Sequence, residues 1–155
     1  MIISAADQAK YPQFTKYMRF AVPKLKTIPV IVSSASKYGS MTAAEFGDAV
    51  TWNKAPTIKI TDLHHGQCGV PKAYGCFRST SPTVLEIHLG TVEDFEKVNA
   101  GYADKNTKGK SVYVVGATLL HELCHWGNHN NVPPVPELKE MGAEFEKATY
   151  GKIIY

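Results

Sequence analysis

Two hydrophobic periods divide the chain. Residues 5–20 mix aromatic and charged positions at helical spacing, and Pro12 interrupts them, so a broken helix is expected there. Ile28-Pro29-Val30-Ile31-Val32 fits an extended segment and a helix start equally well. Residues 41–50 read as a helix with Ser40 or Thr42 near its cap. The period then drops to two. Residues 57–61 and 84–89 alternate polar and apolar side chains and are expected to be strands. A long turn-rich region separates them. Residues 91–98 return to helical spacing, with Thr91 and Asp94 placed like a capping box. The apolar run 112–120 leads directly into His121, and the segment from Asn128 to Pro136, rich in asparagine and proline, ends that helix. A last helix is expected from about Glu137 to Thr149.

No repeat, low-complexity stretch or linker divides residues 1–155, which read as a single domain and are compatible with one excised from a longer chain. The element order implies an α+β fold in which a small twisted sheet packs on the long helix and a C-terminal helix closes over it.

Composition narrows the function classes. With 44% hydrophobic and 20% charged residues, the 155-residue chain can bury an ordinary core. A net charge of +3 with scattered lysines gives no footprint for nucleic acid. No stretch is apolar enough to span a membrane, and residues 1–7 lack the basic start and apolar segment of a signal peptide. Cys68 and Cys76 flank a turn-rich segment. They are either bridged, as in an exported protein, or two free thiols in a reducing compartment. Cys124 reads as a buried apolar side chain.

The chemistry is concentrated in His121-Glu122-Leu123-Cys124-His125. Residues four apart on a helix share a face, so both imidazoles can address one metal ion. Zn2+ suits two neutral nitrogens and one carboxylate with a position left for water, and Glu122 lies where it can take that water's proton. This is the signature of a zinc peptidase.

The third ligand is open among Glu140, Glu144 and Glu146. His129 is too far along the helix from His121. The longer metzincin pattern is absent, because Asn128 and Asn131 occupy the positions of its glycine and third histidine. Spacing from His125 favours Glu144. Local pattern favours Glu146, because Phe145-Glu146-Lys147-Ala148-Thr149-Tyr150-Gly151 resembles the segment carrying the ligand glutamate in clostridial neurotoxin light chains.

Together with the HExxH motif, residues 140–146 are similar to the metallopeptidase toxin domains of bacterial secretion effectors, type VI effectors included. The resemblance implies a zincin-like, gluzincin-type fold with Glu146 as third zinc ligand and Glu140 or Glu144 as alternatives. It implies a toxin acting on other cells, held in the cytoplasm before export and delivered by a secretion system without a signal peptide. Its partners would be a peptide or protein substrate and a cognate immunity protein. Oligomeric state is not set by the sequence. A zinc amidase acting on peptidoglycan, and a binding module with structural zinc, remain open as alternatives.

An oxyanion donor is also required. Tyr150 is preferred, followed by His129, Tyr74 and Arg78. His64 and His65 read as exposed loop residues, and Trp126 as core. Glu86 and His88 are expected to face outward from the sheet, and residues 85–89 to offer an edge for strand addition by substrate.

Overall fold

The computed structural model describes residues 1–66, 68–97 and 103–154. In chain order the elements are β1 (Ile2–Ile3), α1 (Ala5–Lys10), α2 (Pro12–Phe20), a 3₁₀ helix (Val22–Thr27), α3 (Pro29–Gly39), α4 (Ala43–Ala49), β2 (Thr57–Thr61), β3 (Gly75–Phe77), β4 (Val84–His88), α5 (Leu89–Lys97), β5 (Ala103–Lys105), β6 (Ser111–Tyr113), α6 (Val114–Asn130) and α7 (Met141–Tyr150). The fold is α+β.

Local signals explain most boundaries. Ser4 caps α1 by accepting from the Asp7 N–H, and Pro12 occupies the first turn of α2, where its missing N–H costs nothing. Thr42 and Glu45 form a reciprocal capping box at α4, while Ser40 adopts a left-handed conformation that closes α3. The ambiguous stretch at residue 28 is helical from Pro29 onward, because α3 buries Ile31 and Ala35 against α6 and α7. Two expected boundaries are corrected. Helix α5 begins at Leu89, so Thr91 is not a cap; it is buried and its hydroxyl has no partner among the described residues. Helix α7 begins at Met141, with Glu140 as its N-cap accepting from the Ala143 N–H, so residues 137–140 precede the helix. Val98, expected at the end of α5, lies outside the described residues.

The main sheet has the order β1-β2-β4-β3, with β1, β2 and β4 parallel and β3 antiparallel to β4. Strand β4 is therefore interior, and the expected edge at residues 85–89 is instead supplied by β3. Strands β5 and β6 form a separate antiparallel pair leading into α6.

Helix α6 packs on β3 and β4 on one side and on α3 and α7 on the other. Burial on nearly all sides explains its almost continuous apolar sequence up to His121. Phe14, Phe46, Ile58, Leu85, Ile87, Leu119, Leu123 and Phe145 make up much of the shared core. Among the described residues no helix is long and apolar enough to cross a membrane.

Candidate active site

Helix α6 presents His121 and His125 one turn apart, with ring centroids separated by 5.3 Å. Helix α7 crosses immediately above them. Gly142 makes that crossing possible, since a Cβ there would fall 2.2 Å from Cδ2 of His121.

This approach brings the cap of α7 over the two rings. Glu140 Oε2 accepts from the Ala143 N–H at 2.5 Å, which fixes the carboxylate. Its Oε1 faces Nε2 of His121 at 3.1 Å and Nε2 of His125 at 2.6 Å. One donor atom from each of His121, His125 and Glu140 lies within 4.8 Å of the others, so the group could hold a metal ion.

The remaining ring nitrogens are also occupied. Nδ1 of His121 donates to Glu146 Oε1 at 2.6 Å, and the other oxygen of Glu146 accepts from the Ile154 N–H at 2.7 Å. Nδ1 of His125 donates to Glu137 Oε2 at 2.7 Å. Glu137 is held in turn by the Nδ2 of buried Asn128 at 2.7 Å, which also donates to the Tyr38 carbonyl at 2.7 Å. Each imidazole thus has Nδ1 pinned to a carboxylate and Nε2 turned toward Glu140, the orientation that metal-binding histidines adopt.

Charge in the cluster is unbalanced. Four carboxylates, Glu122, Glu137, Glu140 and Glu146, surround two imidazoles. Burial disfavours a charged His121, but its hydrogen bonds to Glu140 and Glu146 prevail and lift its pKa to about 10. His125 moves the same way: burial again opposes, and Glu140 contributes the largest upward pull. For Glu140 burial raises the pKa, yet the bonds from both histidines hold the carboxyl well below the usual range. Burial pushes Glu122 up, against the pull of His121 and His125.

Glu122 lies where α6 meets the sheet edge and is 7% exposed. The Phe77 N–H of β3 donates to it, and a Cβ on Gly75 would come within 2.7 Å of its Cγ. Two hollows flank this carboxylate. One, of about 460 Å³, is lined by Phe77, Glu122, His125, His129, Pro134 and Glu137 among others. The other, of about 190 Å³, is bounded by Tyr74, Gly75, Thr118, His121, Glu122 and Glu146.

The structure therefore brings together His121, Glu122, His125 and Glu140. Glu146, the residue preferred from the sequence, meets the far nitrogen of His121 with one oxygen, and its second oxygen is used by the Ile154 N–H. Glu144 does not converge either; it pairs with Lys147 at 2.8 Å. Tyr150 is not brought to the site. Its ring packs on Phe145, burial pushes its phenol pKa well up, and it lines a different hollow with Ile28 and Thr107. His129 does border the larger hollow, against the Phe77 ring at 5.4 Å, and Tyr74 borders the smaller one. Arg78 is committed to Glu86 at 2.7 Å.

His64 stacks on His88 at 3.5 Å, and His65 meets Asp62 at 3.0 Å. The expectation that His88 faces outward fails, because it is buried and accepts from the Leu63 N–H. Trp126 is partly buried against the core, Cys124 is buried, and Cys68 is bonded to Cys76. Sequence reasoning missed Glu137 and Asn128. The available signal was the need of each ligating imidazole for a partner at its second nitrogen.

No curated protein and no solved structure matches the chain. A family match does exist, to metallopeptidase toxin 3, over residues 7–151. With nearly the whole chain matched and a His/His/Glu group able to hold the metal such a family implies, the chain belongs to the metallopeptidase toxin 3 family, which makes it a hydrolase of peptidase type.

Proposed function

We propose that His121, His125 and Glu140 hold a catalytic zinc ion in a zincin-like domain spanning residues 1–155, and that Glu122 is the general base of peptide-bond hydrolysis. The observation that carries this reading is the convergence of two Nε2 atoms and Glu140 Oε1, with both Nδ1 atoms held by carboxylates. Two nitrogens and one oxygen suit zinc, and three protein donors beside open hollows are the pattern of a catalytic site rather than a closed structural one. Zinc bound there would polarise the scissile carbonyl and acidify a water.

The chain's own residues supply the rest. Glu122 receives the water's proton and passes it to the leaving amine, a task suited to a carboxylate whose pKa burial has raised. The Phe77 N–H fixes the direction of that carboxylate. His129, in the larger hollow, replaces Tyr150 as the group positioned to donate to the developing oxyanion. The β3 edge offers main-chain groups to an extended peptide running between the two hollows. The toxin family supports an enzyme delivered by a secretion system to another cell and restrained in its producer by an immunity protein.

The test is metal analysis of the purified domain followed by cleavage of peptide libraries, with peptidoglycan fragments in parallel. Glu122→Gln should keep one zinc per chain and lose hydrolysis by more than about 10²-fold, the lower range for a positioned acid–base group. A protein without stoichiometric metal, or a Glu122→Gln variant with parental turnover, ends the proposal. Cleavage confined to peptidoglycan would make the enzyme an amidase of the same machinery.

A further inference from the structure

The connection between β2 and β3, described over residues 62–66 and 68–74, has no helix or strand of its own. Its interior is a small cluster separate from the main core: Leu63, Ala73 and Cys76, with Cys68 packed against them. The Leu63 N–H reaches His88 Nδ1 at 3.1 Å, and the Cys68–Cys76 bond joins the loop to β3 across a Cα–Cα distance of 5.8 Å. Two of the four residues in that cluster are the bonded cysteines, so the bond is the covalent link that fixes residue 68 to β3 within a small satellite cluster.

The place where the bond meets the strand matters. Cys76 lies between Gly75, which passes against the Glu122 side chain, and Phe77, whose N–H donates to the Glu122 carboxylate. The end of the same loop, Lys72, Ala73 and Tyr74, forms the wall of the smaller hollow opposite Thr118 and His121. None of His121, His125 and Glu140 comes from this loop or from β3.

We propose that the Cys68–Cys76 bridge builds this wall and sets β3 against Glu122, so that the substrate site is complete only when the two thiols are oxidised. The proposal rests on Glu122 being the base. Bridge formation removes two electrons and two protons from the thiols. An external disulfide takes them up and leaves as two thiols; an added thiol reductant reverses the exchange. A cytosol that keeps thiols reduced would hold the chain incomplete where it is made, and an oxidising compartment would complete it. Metal binding, which uses α6 and the cap of α7, would be retained in both states.

The test compares zinc-loaded oxidised protein, the same protein reduced with a phosphine, and Cys68→Ser. Metal content, amide hydrogen exchange at Gly75, Phe77 and residues 72–74, and cleavage of the best library peptide are measured for each. Zinc should stay at one per chain. Exchange at Phe77 and along the loop end should accelerate by on the order of 10-fold or more, the size expected for local opening. Turnover should fall to a similar degree and recover with oxidised glutathione. Equal exchange at Phe77 and residues 72–74 in oxidised and reduced protein overturns the proposal. Should Cys68→Ser not fold, reduction of the folded parent decides alone. If the parent binds no zinc or cleaves nothing, the zinc-peptidase reading fails, while the exchange comparison still judges the bridge.

Discussion

Glu140 and Glu146 both touch His121, and their removal should have opposite balances of effect. Glu140→Ala deletes the carboxylate whose Oε1 faces both Nε2 atoms, so the metal loses a ligand and a compensating charge. Loss of an outer partner of a ligand typically costs 10- to 100-fold in metal affinity, so loss of the ligand itself should exceed about 100-fold. The metal-free fold should suffer less than on loss of Glu146, because the Glu140 side chain is half exposed and solvent screens its ion pairs with the two histidines. Glu140 is also the N-cap of α7, and losing a cap costs about 1 kcal/mol. Glu146 is the reverse case. It is 3% exposed and holds two donors, His121 Nδ1 at 2.6 Å and the Ile154 N–H at 2.7 Å. Stranding a buried donor costs about 1–3 kcal/mol, so Glu146→Ala should destabilise the metal-free domain by about 2–6 kcal/mol. Its zinc affinity should fall only within the 10- to 100-fold range of an outer partner. The assays are chelator competition for zinc and urea unfolding of metal-free protein. A Glu140→Ala variant that keeps zinc within about 10-fold of the parent, beside a Glu146→Ala variant that loses it altogether, would refute the assignment.

Three further outcomes follow from the same geometry. Gly142→Ala should sharply reduce zinc affinity, because the new methyl would lie 2.2 Å from the His121 ring and must displace α7 or the imidazole; parental affinity by calorimetry would show that the helices can yield. Asn128→Ala should weaken zinc binding about 10-fold or more by releasing Glu137 from its bond, and unchanged affinity would remove Asn128 from the positioning chain. In metal-free protein the His121 pKa is raised to about 10, so its stabilising effect is complete below the ordinary imidazole value of 6.5 and is lost as pH rises through about 10. Glu140 is depressed, so its contribution is present above the ordinary carboxylate value of 4.5 and disappears on acidification. Melting of the metal-free domain should therefore be highest between those two values and fall above pH 7, while zinc affinity rises over the same alkaline range as protons cease to compete. A flat melting profile between pH 6 and 10 would contradict this.

The pairing of His121 with His125 was legible because its information is local. Four-residue spacing on a helix suffices to aim His121 and His125 together, and the apolar run before them announces that the helix is buried. The helices around Pro12 and after Thr42, and the strands β2 and β4, were legible for the same reason. The glutamate that faces both Nε2 atoms was not, because its place depends on where α7 begins. That helix starts only at Met141, which makes Glu140 a cap whose side chain reaches back over α6 instead of one helical residue among several. Counting residues from His125 could not reveal that, and the likeness around Glu146 pointed to a residue that does meet His121, at its other nitrogen. The sheet edge failed differently. Strand β3 is three residues long, too short to show alternation, yet its antiparallel pairing with β4 makes it the edge and displaces residues 85–89 to the interior.

The electrostatics of the cluster would couple metal binding to stability. Burying a carboxylate without a counter-charge costs several kcal/mol, and here the buried Glu122 and Glu146 gather with the exposed Glu137 and Glu140 around two imidazoles. Two states can satisfy them. Either the histidines carry protons, which the raised pKa of His121 and His125 describes, or a divalent cation takes the place between their Nε2 atoms and Glu140. The outer carboxylates favour the second state as much as the first, since Glu146 and Glu137 hold the imidazoles by Nδ1 in either case. A cation then contributes its binding free energy to the stability of the α6–α7 pair. Gly142 belongs to the same design. A side chain there would hold the helices apart, leave Glu140 short of the histidines, and remove the cation's place along with the stability it brings.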